Sequence, residues 1–360
     1  MFFTFIILLI SSFLISLLVV PMTIRFAKKF KLIDDSARRP HPAHTHQGLI
    51  PRAGGIPIFL GIFLPMFLFL KINPQMMGIF IGCLILVMTG IWDDKRHRSP
   101  YIRFFFNCLA AISVIGAGVS IPYITNPLGG IIHFDNLAFD FSILGNGIHL
   151  TVGHLLAMLW IVWMTNIIGW SGGVDGQLPG FVGISATVIG ILSLRYIGDP
   201  NQYYVTSLSF LTAGAFLGFL PWNFFPQKIM PGYGGKTLAG FMLATLAILS
   251  YAKFGTALLV LAVPMTDAAF ILVRRLLTKK SPVAASSGHL HHHLLNLGWG
   301  KRRIAFFYWS ISLIAGFLAL VLSPRMKLFA ALLSIMMIFS FILWINFFRK
   351  LPQKRSGDIF

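Results

Sequence analysis

Glutamate is absent from this 360-residue chain, and all ten of its acidic residues are aspartates. Charged residues make up 11% of the sequence, against roughly 25% in typical soluble domains. This scarcity excludes an ordinary soluble globular protein. The only two cysteines, Cys83 and Cys108, both lie in apolar segments, which excludes a disulfide framework. No lysine or arginine precedes Arg25 and no small-residue cleavage pattern follows, so we do not expect a signal peptide.

Hydrophobic residues are abundant instead, at 56% of the chain, and the mean hydropathy is +0.80. So much apolar surface is stable only in a lipid bilayer. Lysine and arginine total 29, which gives a formal net charge of +19. In a soluble protein this excess would suggest nucleic acid. In a membrane protein it is typical of basic residues kept on the inner face and near anionic lipids. We therefore expect the membrane as a partner and no nucleic acid.

Eleven apolar segments approach the length of about 20 residues that a spanning helix needs. They run over residues 2–24, 54–70, 77–92, 104–120, 150–169, 179–197, 203–221, 237–252, 255–273, 304–322 and 328–348. The predicted fold is all-α: a polytopic integral membrane protein with one multi-span domain over 1–348 and a basic cytoplasmic tail over 349–360. If the N-terminus is outside and the C-terminus inside, inner segments hold 24 basic residues and outer segments hold 5. That asymmetry favours this orientation.

The one long outer segment, 121–149, has no lysine or arginine. Within it, residues 132–141 partly alternate apolar and polar side chains around Asp135 and Asn136. This pattern predicts either a small hairpin on the membrane surface or an amphipathic loop, and the sequence does not decide between them.

Acidic residues and histidines concentrate at the predicted inner ends of the helices. They are Asp34, Asp35, His46, Asp93, Asp94, Asp175, Asp267 and the cluster from His289 to His293. Such side chains at membrane depth are costly and usually face a cavity or a partner. The chemistry is therefore expected at the cytoplasmic face. A transporter would place charges at the bilayer midplane between related halves, and the sequence shows neither feature.

Asp93 and Asp94 close the third predicted helix. Two adjacent carboxylates at a helix C-terminus oppose the macrodipole and repel each other. Mg²⁺ would offset both effects, since it favours carboxylate and phosphate oxygens. The alternative is a solvated helix end neutralised by Lys95, Arg96 and Arg98. We favour the functional interpretation because of the motifs that follow.

Two glycine-rich inner loops come next. The loop at 166–176 holds Asp175 as its only charge, and the loop at 223–236 carries two lysines. Such loops let backbone N–H groups approach phosphate oxygens, although plain interhelical turns have a similar composition. The second loop is not a Walker loop, because its spacing differs and no strand precedes it.

Four histidines occur within five residues in His289-Leu290-His291-His292-His293. If this segment is helical, His289, His292 and His293 share one face. Zinc is one hypothesis, but no cysteine or glutamate completes a site. We favour imidazoles that donate hydrogen bonds to a diphosphate.

A series of motifs in this order resembles the polyprenyl-phosphate N-acetylhexosamine-1-phosphate transferase superfamily (MraY/WecA-like, glycosyltransferase family 4). The motifs are Pro51-Arg52-Ala53-Gly54-Gly55, Asp93-Asp94, Val174-Asp175-Gly176, Asn223 with Pro226, Asp267, and His289-Leu290-His291-His292. They cover nearly the whole chain. The sequence around Pro51 and Arg52 is more similar to the WecA-like branch than to the pentapeptide branch.

The resemblance implies transfer of a sugar-1-phosphate, expected to be N-acetylhexosamine-1-phosphate, from a UDP-sugar to polyprenyl phosphate. It implies Mg²⁺ as cofactor, release of UMP at the cytoplasmic face, and a place in cell-envelope polysaccharide synthesis. The expected catalytic residues are Asp93, Asp94 and Asp175, with Asp94 and Asp175 as metal ligands. The expected substrate-binding residues are Arg52, Asn166, Asn223, Lys236, His289, His291 and His292. A homodimer is a further expectation.

Four positions depart from the family pattern. Gly169 replaces an asparagine, Gly172 an aspartate, Tyr233 the metal-binding aspartate and Lys236 a serine. A neutral phenol is a poor magnesium ligand, so we expect a weaker metal site in which Lys236 neutralises part of the phosphate charge. The alternative function is a non-catalytic family member that binds lipid or a partner protein.

Overall fold

The fold is described from a computed structural model. It covers residues 2–35, 45, 48–126, 130–136, 138–143, 146–250, 253–279 and 288–347. The predicted basic tail over 349–360 lies outside the described residues, as does His46.

Helices dominate these ranges, and the all-α class is confirmed. The helices are α1 (Phe2–Lys29), α2 (Gly55–Phe69), α3 (Pro74–Arg96), α4 (Pro100–Ile115), α5 (Val152–Ser171), α6 (Gln177–Leu194), α7 (Pro200–Asn223), α8 (Gly232–Leu249), α9 (Lys253–Val260), α10 (Ala262–Leu277), α11 (Leu290–Asn296), α12 (Lys301–Val321) and α13 (Pro324–Phe347). The short strands are β1 (Ile33–Asp35), β2 (Leu49–Pro51), β3 (Tyr123–Thr125), β4 (Ile131–His133), β5 (Ala138–Ile143) and β6 (Asn146–Thr151).

Eight of the helices within the described ranges are long and apolar enough to cross a membrane, and α2 and α4 are shorter apolar helices. Each of the eleven predicted segments coincides with helix. The ninth, 255–273, is divided between α9 and α10, with Leu261 between them. Pro264 explains the break, because it has no N–H and its ring clashes with the carbonyl of residue 260, where α9 ends. The number of spans and their orientation stay predictions.

Strands do form in the predicted outer segment, but the predicted hairpin over 132–141 is wrong. β4 pairs antiparallel with β3, and β5 pairs antiparallel with β6. Asp135 and Asn136 lie in a bend between two strands that do not pair with each other. The alternating pattern identified strand-forming residues, whereas their partners lie outside the window that carries the pattern.

The helices pack in pairs around one large apolar core. α7 packs against α1 and α6, while α8 packs against α3 and α5. Buried hydroxyl groups in this core mostly bond within their own helix. Thr165 donates to the Ile161 carbonyl and Thr212 to the Leu208 carbonyl, both at 2.7 Å. This satisfies polar groups that have no water available.

A glycine contact fixes where α3 meets α8. A Cβ on Gly90 would collide with the backbone of Gly234, so only glycine allows this approach. Gly90 lies one turn before Asp94 on α3, and Gly234 lies in the first turn of α8. The close approach therefore brings the acidic end of α3 against the glycine-rich loop before α8.

Candidate functional site

Arg52 joins two carboxylates from different parts of the chain. Its Nε lies 2.9 Å from Asp94 Oδ1, and its Nη1 lies 3.3 Å from Asp34 Oδ2. The antiparallel pair of β1 and β2 sets this geometry by placing Asp34 opposite Ile50. Burial lowers the pKa of the Arg52 guanidinium, but the charges of Asp94 and Asp34 outweigh that effect, so its pKa is raised. Arg52 is thus fixed as a cation in contact with the predicted acid pair.

Asp93 has a different partner. Its Oδ1 accepts from Arg103 Nε at 2.7 Å and from the Arg98 backbone N–H at 2.9 Å. Its Oδ2 is buried and has no hydrogen-bond partner among the described residues. The two adjacent aspartates therefore face different arginines, one before α2 and one on α4. An orphaned buried carboxylate oxygen suggests a ligand or water at that point.

Tyr233 occupies the position where the resemblance expects a metal-binding aspartate. Its backbone N–H donates to Asp94 Oδ1 at 3.1 Å, while its phenol donates to Asn107 Oδ1 at 3.1 Å. The Arg103 guanidinium lies 5.2 Å from the centre of its ring. Asn107 also donates to Asn166 Oδ1 at 3.4 Å. The phenol thus ties α8 to α4 and α5.

Asp175 lies in the turn between α5 and α6 and is paired with Lys301. The ammonium of Lys301 lies 3.2 Å from one carboxylate oxygen and 3.4 Å from the other. The Gln227 backbone N–H also donates to this carboxylate, at 3.4 Å. Because Asp175 is only 3% exposed, water cannot compensate its charge, and the Lys301 ammonium does so instead.

Two predicted substrate-binding asparagines form hydrogen bonds within the protein. Asn223 Oδ1 accepts from the Gly176 N–H at 3.1 Å, and its Nδ2 donates to Gln227 and to the Ile229 carbonyl, both at 2.9 Å. Asn166 Nδ2 donates to a carbonyl one turn earlier in α5, at 2.7 Å. Both residues shape the site, and their contact with substrate stays a prediction.

The histidine cluster begins with an N-cap rather than a helical turn. α11 starts at Leu290, and His289 precedes it with extended backbone. The condition for a face shared by His289, His292 and His293 is therefore not met, since only the last two lie on the helix. Asp267 holds the start of α11 through the His289 ring, at 3.0 Å, and the Leu290 N–H, at 2.7 Å.

His291 reaches toward the loop that carries Asp175. Its Nε2 lies so close to Gly173 that a Cβ there would clash with it, and its Nδ1 is buried without a hydrogen-bond partner in the part of the chain that is described. Burial, then the charges of His292, His289 and Lys236, lowers the pKa of His291 well below its usual range. The imidazole is therefore neutral near pH 7 and retains one N–H to donate.

Lys236 lies between these two parts of the site. It is half-buried on α8, and the charges that act on it most are those of Arg52, Asp94, Asp34 and Arg103. Its own charge acts on His291. Arg52 and Asp94 are thus in direct contact, their charges act on Lys236, and the charge of Lys236 acts in turn on His291.

Sequence reasoning misses the basic partners of the acids. In the sequence, Arg103 and Lys301 count only as inner-face charges, and Asp34 has no assigned role. The position of these residues at the predicted inner helix ends could have indicated ion pairs, because the negative charge of every buried carboxylate needs a nearby positive charge. Which cation serves which acid is decided by the packing of the helices and is not readable from the sequence.

The donor set does not fit magnesium well. Asp94 and Asp175, the predicted ligands, each hold a basic side chain, and the Tyr233 phenol is committed to Asn107. Among the described residues, no group of three histidine, cysteine or acidic side chains is placed to hold a metal ion. The zinc hypothesis gains no support from this geometry, and the absence of zinc stays a prediction.

Comparisons with known proteins support the resemblance. Residues 76–251 match the family model described as glycosyl transferase family 4. A probable undecaprenyl-phosphate N-acetylglucosaminyl 1-phosphate transferase of Bacillus subtilis (strain 168) is 28% identical over 320 residues, covering 87% of this chain and 83% of that protein. A decaprenyl-phosphate N-acetylglucosaminephosphotransferase of Mycobacterium leprae is 29% identical, covering 74% and 71%. A phospho-N-acetylmuramoyl-pentapeptide-transferase of Bacillus subtilis (strain 168) is 25% identical, covering 87% and 95%.

Proposed function

We propose that this chain is a member of glycosyl transferase family 4, whose model matches residues 76–251, and that it transfers N-acetylhexosamine-1-phosphate to polyprenyl phosphate. The relatives named above are sugar-phosphate transferases, two of them named for a prenyl-phosphate substrate and N-acetylglucosamine. The observation that supports the proposal most directly is the ion pair of Arg52 with Asp94 at the ends of apolar helices, with Lys236 within reach of both charges. A lipid acceptor and a soluble donor can meet there.

The donor we propose is a UDP-sugar, and the reaction takes place at the cytoplasmic face of the cell membrane. An oxygen of the acceptor phosphate attacks the β-phosphorus of the donor. The bond between that phosphorus and the bridging oxygen breaks, and UMP leaves with the oxygen. The lipid product carries the sugar through a diphosphate. Positioning and charge neutralisation supply most of the catalysis in such transfers, and fixed lysine and arginine side chains can provide them.

The acid pair and Arg52 have separable roles in this proposal. Asp93 and Asp94 act on the acceptor phosphate, as the resemblance implies. Arg52 holds the Asp94 carboxylate in place and adds a positive charge to the site. The bidentate geometry of a guanidinium suits this bridging role better than an ammonium would. A homodimer remains an expectation on which the proposed reaction does not depend.

The test is release of UMP by the purified protein. The protein is mixed with UDP-N-acetylglucosamine, polyprenyl phosphate and magnesium chloride, and UMP and lipid product are measured together. We expect equimolar products and no release when the lipid is omitted. Asp94→Asn should abolish turnover. The matched control is Asp199→Asn, which makes the same change at the N-cap of α7, where asparagine also caps well.

A second candidate function rests on Tyr233. Because a phenol replaces the expected carboxylate, the chain could serve as a non-catalytic member that binds the lipid or a partner. In that case the protein would bind polyprenyl phosphate and release no UMP from any UDP-sugar under the same conditions.

A further inference from the structure

Lys236 is a cation without a counter-ion of its own among the described residues. Its stem packs beside Gly169, where an added Cβ would lie 3.9 Å from the Lys236 Cβ. No hydrogen bond or ion pair joins its ammonium to any residue in the described ranges. An ammonium carries three donors and is strongly hydrated. Its half-buried position therefore leaves donors available for a ligand.

The charges around Lys236 are balanced, but its hydrogen-bond donors are not satisfied. Asp94 and Asp34 attract the ammonium, and both carboxylates are already bonded to Arg52. Arg52 and Arg103 repel the ammonium, and Arg103 is paired with Asp93. The three carboxylates balance the three cations, yet the donors of the Lys236 ammonium have no acceptor among the described residues. A diphosphate carries the acceptor oxygens that these donors lack.

His291 supplies an independent observation at the same place. Its buried Nδ1 has no partner among the described residues, and Gly173 leaves just enough room for its ring. Buried polar atoms in native proteins are rarely left unsatisfied, so an unmet one marks a position for water or ligand. The charge of Lys236 acts on this ring, so an anion bound at Lys236 would also interact with His291.

The carboxylates expected to hold magnesium are committed elsewhere. Lys301 lies against both oxygens of Asp175, where a divalent ion would bind, and Arg52 holds Asp94. We propose that Lys236, assisted by His291, binds the diphosphate of the nucleotide-sugar donor directly, so that donor binding does not require a divalent metal ion. This inference rests on the UDP-sugar donor of the proposed function.

The experiment separates donor binding from turnover. Binding of UDP-N-acetylglucosamine to the purified full-length protein is measured by calorimetry in EDTA and in excess magnesium chloride, and UMP release is measured in the same buffers. The variants are Lys236→Met, Lys236→Arg and Lys95→Met. Lys95 is an exposed lysine beside Asp94 and controls for loss of one inner-face charge. Thermal unfolding of each variant verifies that it is folded.

We expect the wild type to bind the donor equally well in both buffers. Since a hydrogen bond to a charged group contributes about 1.5–3 kcal/mol, Lys236→Met should weaken binding by about tenfold or more. Lys236→Arg should recover most of that loss, and Lys95→Met should bind like the wild type. Binding that disappears in EDTA, or that is unchanged in Lys236→Met, would overturn the inference.

The two proposals fail in different ways. Strictly magnesium-dependent binding together with UMP release would overturn the metal-free inference and leave the transferase function standing. Metal-free binding that depends on Lys236, without UMP release, would support the inference and remove the transferase function. No donor binding in either buffer would overturn both.

Discussion

Substituting Gly173 by alanine should disable the site without disturbing the backbone. Gly173 is not in the left-handed region, so its own conformation accepts a side chain. The added methyl group would, however, clash with His291 Nε2 and with the two ring carbons beside it. The clash forces the ring of His291 to move. This movement is costly, because the ring is buried and little space is free around it. The substitution tests the contact between the loop of Asp175 and the histidine cluster.

The expected magnitudes come from that displacement. Overpacking a filled site costs about 1–3 kcal/mol of stability. If His291 donates to a phosphate group, losing that hydrogen bond costs about 1.5–3 kcal/mol, which corresponds to a fall of about 10- to 150-fold in kcat/KM. Gly173→Ala should thus match His291→Ala in activity. The double variant should be little worse than either, because both changes remove the same contact.

The control is Gly169→Ala, at the same end of α5. Its new methyl group meets only the Lys236 Cβ, at 3.9 Å, an ordinary contact. Because Gly169 lies within a helix, this change should stabilise the protein by about 0.5–1 kcal/mol. Thermal unfolding and UMP release are measured for all variants. Wild-type activity in Gly173→Ala, or an equal loss in Gly169→Ala, would refute the contact-based reasoning.

The acid pair, the orientation in the membrane and the His291 ring each give a further prediction. Asp93→Asn and Asp94→Asn should each abolish UMP release; each also removes one partner of a buried ion pair, so the unfolding temperature should fall and activity is measured well below it; wild-type turnover in both would contradict their catalytic role. Cysteines placed at the exposed Thr278 and Asn136, in a background without the two native cysteines, should be labelled from opposite sides of the membrane; labelling from one side would contradict the orientation. Because the pKa of His291 is lowered in the folded protein, the unfolded state binds more protons as pH falls below about 6.5, so stability should decrease there. His291→Gln should flatten that part of the pH–stability curve, and parallel curves would count against this assignment.

The fold was largely predictable from hydropathy, because long apolar runs leave few alternatives to spanning helices. The failures arose where a local pattern depends on distant partners. The strands of the outer segment were recognisable, but their pairing was not, since β3 and β6 lie outside the alternating window. Pro264 is visible in the sequence, but prolines also lie inside the continuous helices α2 and α7, so a proline alone does not predict that a span divides.

The site was predictable in composition and less so in connectivity. Placing Asp93, Asp94, Asp175 and the histidines at helix ends needed only the positions of the apolar segments. Pairing Asp175 with Lys301 required knowledge of how α12 packs beside the turn after α5, because these residues are 126 positions apart. The sequence left open whether the histidine segment is helical throughout, and the structure shows that the helix starts after His289, which caps α11.

The same acidic motif can hold a metal ion or form ion pairs, and the basic residues around it decide which. Here the cations come from separate elements: Arg52 before α2, Arg103 on α4 and Lys301 at the start of α12. Each reaches a buried carboxylate that would otherwise carry an uncompensated charge. Arg52 alone pairs with two carboxylates, so Lys236 supplies the third positive charge beside Asp34, Asp93 and Asp94. The Lys236 ammonium has no hydrogen-bond acceptor among the described residues, and an anionic substrate would supply one. Measuring donor binding in variants of Lys236, rather than of the aspartates, therefore tests whether that binding requires a metal ion.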